Sequence, residues 1–200
     1  MVRNAIRATS FVSLVAVTLL QAALAADPAA VPESKRTALG LYLTAVEAHE
    51  RIERAGTKTL FVDVRSRAEV QFVGMPEGVD ANVPYMDFTD FSEFDERRGG
   101  YRLDQNLGFV EEVTKRLAQK GLSKTDTVIV ICRSGGRSAR AADALAKAGF
   151  TKVYSVAEGF EGDVAESGPH KGHRSVNGWK NRQLPWGYRL QRAQISKAVF

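Results

Sequence analysis

Apolar positions along the chain follow two periods in turn. Three short stretches, Thr59 to Val64, Val128 to Ile131 and Val153 to Val156, are dominated by β-branched and apolar residues. That is the pattern of strands buried on both faces of a parallel sheet. Leu39 to Leu43 predicts a further short strand. Thr44-Ala45-Val46-Glu47 predicts a helix start, because the Thr hydroxyl and the Glu carboxylate can each bond the other's amide in a capping box. That helix runs to about Arg54 and stops at Gly56. Leu107, Val110, Val113 and Leu117 place an apolar stripe on a helix from Leu107 to Gln119, with Asn106 as its cap and Gly121 as its end. Ser138 to Lys147, rich in Ala, predicts another helix, ended by Gly149.

Strands alternating with helices imply an α/β fold: one domain built on an open parallel sheet, with right-handed crossovers and helices on both faces. Two stretches break the pattern. Met75 to Gly108 is irregular, and within it Asp87 to Asp104 mixes acids, aromatics and glycines (Phe88, Phe91, Phe94, Gly99, Gly100). It is expected to be a long surface excursion with one helical turn, and a candidate docking element for a protein partner. After Gly162 the composition shifts to Gly, Ser, His, Lys and Arg. Trp179 and Trp186 are expected to anchor residues 163–200 as an extension on a domain of residues 39–162. Residues 26–38, rich in Pro, Ala and charge, read as a linker.

The first 25 residues read as a leader, not as fold. Arg3 and Arg7 precede an apolar run from Phe11 to Leu20, and Ala23-Leu24-Ala25 offers small residues where a signal peptidase cuts. The run looks short for a bilayer span. The expectation is an exported protein, in the bacterial periplasm, with no stable membrane insertion after cleavage.

Composition changes the picture in one respect. Hydrophobic residues make up 44% and charged residues 26% of the 200, which is ordinary for a globular chain. The net charge of +5 is spread without long runs of one sign, so it suggests attraction for small anions and no nucleic-acid surface. There is a single cysteine. It cannot form an internal disulfide, and a free thiol in an oxidising compartment calls for a chemical reason.

The reason lies in Val128-Ile129-Val130-Ile131-Cys132-Arg133-Ser134-Gly135-Gly136-Arg137-Ser138. A buried strand delivers Cys132 to its carboxyl end, a glycine-containing loop follows, and a helix begins. Open α/β sheets place ligands at that end. Gly135 and Gly136 allow consecutive amides to turn inward as an anion nest. The helix N-terminus and Arg133, Arg137 and Arg140 add positive charge, which suits an anionic sulfur. Set beside this, a small buried cysteine at a strand end followed by a tight glycine turn is the plainer alternative. His170 and His173, three apart in a Gly-rich stretch without a third ligand nearby, do not make a metal site. His49 is expected at the surface of its helix. No cofactor or metal is implied.

Cys-Arg-Ser-Gly-Gly-Arg-Ser at 132–138 resembles the active-site loop of the rhodanese homology domain family. Asp63-Val64-Arg65 is similar to that family's first motif, and Glu69 stands where the family has an acid. Gly74 to Pro84 looks like a degenerate form of Gly-His-Ile-Pro-Gly-Ala-x-Asn-Ile-Pro, with Met75 in the place of the usual His. Glu158 to Gly162 is similar to the segment after the last core strand. The resemblance spans roughly Leu41 to Gly162.

It implies a sulfurtransferase of the thiosulfate type. Cys132 would carry a persulfide cradled by the amides of Arg133 to Ser138. The partners would be a small anionic sulfur donor and a cyanide, thiol or protein acceptor. Arg137 would orient the donor and support the loop. Asp63 would accept hydrogen bonds from the loop or the arginines, and Arg65 would pair with Glu69. The extension after the last strand is a candidate cover for this end of the sheet. Related phosphatases need one residue more between cysteine and arginine; here the sixth residue after Cys132 is Ser138. The same site would serve a partner-dependent persulfide carrier with little turnover on small acceptors. A redox sensor lacks its resolving cysteine.

Overall fold

In the computed structural model, residues 30–89, 93–97 and 99–197 are described. The leader Met1 to Ala25 and Phe91 of the excursion lie outside them. The core is a five-stranded sheet in the order β1–β10–β9–β2–β4, with every neighbouring pair parallel. The strands are β1 (Tyr42–Leu43), β2 (Thr59–Asp63), β4 (Ala81–Asn82), β9 (Thr127–Ile131) and β10 (Val153–Val156). Among the described residues the α-helices are α1 (Ala45–Ala55), α2 (Arg67–Val73), α3 (Phe109–Gln119) and α4 (Gly136–Lys147). The remaining strands are two residues long and form three separate pairs: β3 (Met75–Pro76) with β11 (Trp186–Gly187), β5 (Met86–Asp87) with β8 (Asp104–Gln105), and β6 (Phe94–Asp95) with β7 (Gly100–Tyr101).

Strand alternation sorts the buried residues into two layers. Leu60, Val62, Val64, Val128, Val130 and Cys132 face α3 and α4. Phe61, Ile129 and Ile131 face α1, α2 and the extension. Both faces are covered, as the continuous apolar runs predict.

The predicted capping box at Thr44 forms: Glu47 N–H donates to Thr44 Oγ1 at 3.2 Å, and Thr44 N–H to Glu47 Oε2 at 2.7 Å. The third helix starts two residues later than predicted, at Phe109. Asn106 Oδ1 accepts from Gly108 N–H just ahead of it, and Leu107 is 75% exposed instead of in the stripe. The described part of the excursion holds no helical turn. Two antiparallel pairs, β5 with β8 and β6 with β7, fold it into a flap.

The extension is tied down by its tryptophans. Trp179 is fully buried, stacks on Phe61 at 5.7 Å between ring centroids, and donates its indole N–H to Pro185 O at 2.8 Å. His49, expected at the surface, is half-buried with its ring edge-on to Trp179 at 5.6 Å. Trp186 and Gly187 pair antiparallel with Pro76 and Met75, which puts Met75 in the second core layer. Further on, Ser196 N–H donates to Asn82 O, so the extension also covers the open edge of β4. Trp179→Ala should cost about 3–5 kcal/mol of unfolding free energy, because no neighbour can collapse into the volume of an indole. Urea unfolding reads this as a lower midpoint at unchanged slope.

Candidate active site

Cys132 lies one residue past the end of β9, 1% exposed, with its side chain in the layer of Val62, Val64 and Val130. The loop after it turns at Gly135, whose φ of +93° only glycine adopts readily, and runs straight into α4. That turn brings Gly135 N–H to 3.2 Å from Cys132 Sγ. The Cys132 thiol in turn donates to Ser138 Oγ at 3.5 Å. Ser138 is itself fixed: it donates to Gly135 O at 2.8 Å and accepts from the Ser155 hydroxyl at 3.0 Å. The sulfur therefore sits where the helix begins, among small polar groups inside an apolar layer.

The segment after β10 backs this loop. Phe160 N–H donates to Cys132 O at 2.8 Å, and Glu161 and Gly162 N–H donate to Arg133 O at 2.9 and 3.2 Å. The fit is close enough that a Cβ on Gly135 would stand 2.2 Å from Ala157 O, and one on Gly159 2.5 Å from Ser134 N. The sequence marks Glu158 to Gly162 without showing why; the reason is this backbone-to-backbone contact.

The ion pairs differ from expectation. Arg65 does not reach Glu69. It makes a fully buried pair with Asp63, at 2.6 Å from Nη2 to Oδ2, and donates to Gly74 O at 2.8 Å. The Asp63 carboxylate accepts only from Arg65, with no bond from the loop among the described residues. Ser66 caps α2, so Arg65 lies in the bend ahead of the helix and does not share a helical face with Glu69. Its guanidinium instead lies 4.0 Å over the Phe160 ring, on the sheet face away from Cys132. Asp63 and Arg65 thus act beneath the loop, through Phe160.

Glu69 takes Arg137 instead. The guanidinium grips both carboxylate oxygens, at 2.6 and 2.5 Å. Burial pushes the Glu69 carboxyl up, but the hydrogen bonds and charge of Arg137 and the N–H and hydroxyl of Ser66 outweigh it and hold it at about 2. Burial likewise lowers Arg137, and Glu69 more than compensates, so its proton is held more tightly than usual. A carboxylate depressed in the folded state contributes stability above its ordinary value of 4.5 and loses it as pH falls toward 2. The contribution is about 3 kcal/mol when fully present. Glu69→Gln lacks it. The stability gap between wild type and variant should be widest near neutral pH and narrow steadily below the glutamate range. Urea titrations across that range measure it; a gap constant with pH would contradict the pairing.

These groups line a pocket of about 580 Å³. Cys132, Arg133, Ser134, Arg137 and Arg140 line it from the cysteine loop and α4. Met86, Phe88, Tyr101 and Leu103 line it from the flap. The candidate cover, the extension, does not contribute to it among the described residues. Sequence reasoning missed the flap's part and missed α2, although Ser66 and Glu69 form a second capping box. Among the described residues no three His, Cys, Asp or Glu side chains gather as a metal site, and His170 and His173 are both exposed.

Comparison with known proteins agrees with this geometry. Residues 44–166 match the family described as the Rhodanese-like domain. An uncharacterized protein of Rickettsia prowazekii is 30% identical over 129 residues, which is 64% of this chain and 81% of that protein. Thiosulfate sulfurtransferase 16, chloroplastic, from Arabidopsis thaliana is 37% identical over 79 residues, covering 40% of this chain and 53% of that protein. The crystal structure of Rv0390 from M. tuberculosis superposes with a TM-score of 0.54 at 31% identity, over 73% of this chain and 96% of that one.

Proposed function

Because the chain belongs to the rhodanese-like domain family, we propose that it is a sulfurtransferase that carries sulfane sulfur on Cys132. The observation that carries this reading is the sulfur itself, lining the pocket at the start of α4, 3.2 Å from the Gly135 amide. The Cys132 thiolate attacks the outer sulfur of a donor such as thiosulfate. An S–S bond forms to Cys132, the donor's S–S bond breaks, and sulfite leaves with the electron pair. A thiophile, cyanide or a thiolate, then takes the outer sulfur and restores the Cys132 thiolate. The Gly135 amide and the positive end of α4 stabilise the anion at each stage. The Ser138 hydroxyl can turn from Gly135 O to the ionised sulfur.

The arginines divide the work. Both terminal nitrogens of Arg137 are committed to Glu69, so it holds the loop. Arg133 and Arg140 are exposed and line the pocket, and neither has a carboxylate partner among the described residues. They are the groups that attract an anionic donor. The leader pattern of residues 1–25 supports placing the reaction outside the cytoplasm. The test is thiocyanate formation from thiosulfate and cyanide by the purified protein. Turnover supports the enzyme. Sulfur loading on Cys132 without turnover makes the chain a carrier that needs its own acceptor. Absence of both turnover and sulfur loading on Cys132 rejects the proposal.

A further inference from the structure

The segment ahead of the first strand is built into the back of the cysteine loop. Its sequence reads as a linker, yet from residue 31 onward it packs. Val31 is buried, and Glu33–Lys35 forms a short 3-10 turn. Thr37 N–H donates to the Tyr42 hydroxyl at 2.7 Å, and Ala38 N–H to Asp143 Oδ1 on α4 at 2.7 Å. These bonds deliver Lys35 to the loop. Its side chain is only 12% exposed, where a lysine is ordinarily solvated. The ammonium donates to Ala157 O at 3.1 Å and to the two oxygens of Asp163 at 2.7 and 2.8 Å. The stem lies against the glycine turn: a Cβ on Gly135 would stand 2.9 Å from Lys35 Cδ and 2.2 Å from Ala157 O.

Both partners of the ammonium bear on the loop. Ala157 O is the atom against which Gly135 rests, and Ala157 N–H is held by Leu43 O at 3.0 Å. Asp163 directly follows Glu161 and Gly162, whose amides hold Arg133 O. One ammonium thus ties two segments behind the turn that presents Gly135 N–H to Cys132 Sγ. Lys35 precedes residues 44–166, so the tie comes from outside the matched domain.

Resting on the sulfur-transfer reading, we propose that Lys35 is a positioning residue for the reaction: through Ala157 O it holds Gly135, and with it the amide that meets the anionic sulfur. Lys35 does not line the Cys132 pocket, so it takes no part in capturing the donor. A displaced amide stabilises the reacting sulfur less and leaves the work of Arg133 and Arg140 unchanged.

The test is single-turnover loading of sulfur on Cys132 over a range of thiosulfate concentrations, with the maximal rate and the half-saturating concentration read separately. Lys35→Met keeps the stem and removes the ammonium. It should lower the maximal rate about tenfold and leave half-saturation unchanged. Lys35→Gln, which ends one bond short of the lysine nitrogen, carries the same expectation should Lys35→Met not fold. Arg36→Met removes one charge from the exposed neighbouring residue, whose guanidinium bonds Val31 O and not the loop, and should load as wild type does. A higher half-saturating concentration at an unchanged maximal rate would make Lys35 a further cation for the donor and overturn the inference. So would an equal loss of rate in Arg36→Met, or wild-type loading in the Lys35 variant with only its unfolding midpoint lowered. Failure of the wild type to take sulfur from thiosulfate would instead overturn the reading on which the inference rests.

Discussion

Cys132→Ser is expected to abolish sulfur transfer outright, by more than about a thousandfold, and not to weaken it in proportion. The intermediate is a persulfide, and a hydroxyl oxygen cannot take its place. The Gly135 amide, the Ser138 hydroxyl and the field at the start of α4 have nothing to stabilise without that sulfur. The substitution should leave the fold intact. Serine is slightly smaller than cysteine, and the buried Ser138 hydroxyl beside the sulfur can satisfy it. Thiocyanate formation measured beside thermal unfolding separates the two effects. Residual turnover at a few percent of wild type would place the chemistry elsewhere.

Gly159→Ala is expected to give the second largest loss, about a hundredfold in kcat/KM, although Gly159 touches no substrate. A Cβ there would lie 2.5 Å from Ser134 N and 2.6 Å from the carbonyl carbon and oxygen of Arg133. All three atoms belong to the backbone of the cysteine loop, so relief must come from moving the loop. The same glycine has φ of +69°, which adds strain of about 1–3 kcal/mol for any L side chain. Gly149→Ala separates the two causes. Its φ is +90°, yet nothing lies within 4 Å of its added Cβ. It should lose similar stability and keep its activity. If Gly149→Ala and Gly159→Ala lose activity equally, the loop-displacement argument is wrong.

The sequence was legible where structure is local and periodic. β2, β9 and β10 are visible as runs of β-branched residues because both faces of those strands are buried, so no polar position interrupts the signal. α1 is visible because Thr44 and Glu47 carry its capping box. α2 carries the same box at Ser66 and Glu69 but spans only seven residues, with Phe72 78% exposed, too short a stretch for a helical period to stand out. The flap ladders are two residues long and mostly polar, so strand alternation has no length in which to show.

At the site, the cysteine loop could be read because strand, glycines and helix start are consecutive. The partner of Glu69 could not. A spacing of four residues favours Arg65, whereas the true partner, Arg137, is 68 residues away and is brought in by the pairing of β2 with β9. The same limit hid the flap's share of the pocket. Phe88 and Tyr101 line the same pocket as Cys132 through the fold of the flap, set by the pairing of β5 with β8 and of β6 with β7. Nothing local in Asp87 to Asp104 records that fold.

The measurement that bears most directly on the account is the intact mass of the protein after exposure to a sulfane-sulfur donor. Thiosulfate and benzenethiosulfonate would each be incubated with the reduced protein, followed by desalting, mass measurement and peptide mapping. The account predicts a gain of one sulfur atom, located on Cys132, that cyanide removes as an equal amount of thiocyanate. An unchanged mass with both donors, while Cys132 remains open to alkylation, would contradict it.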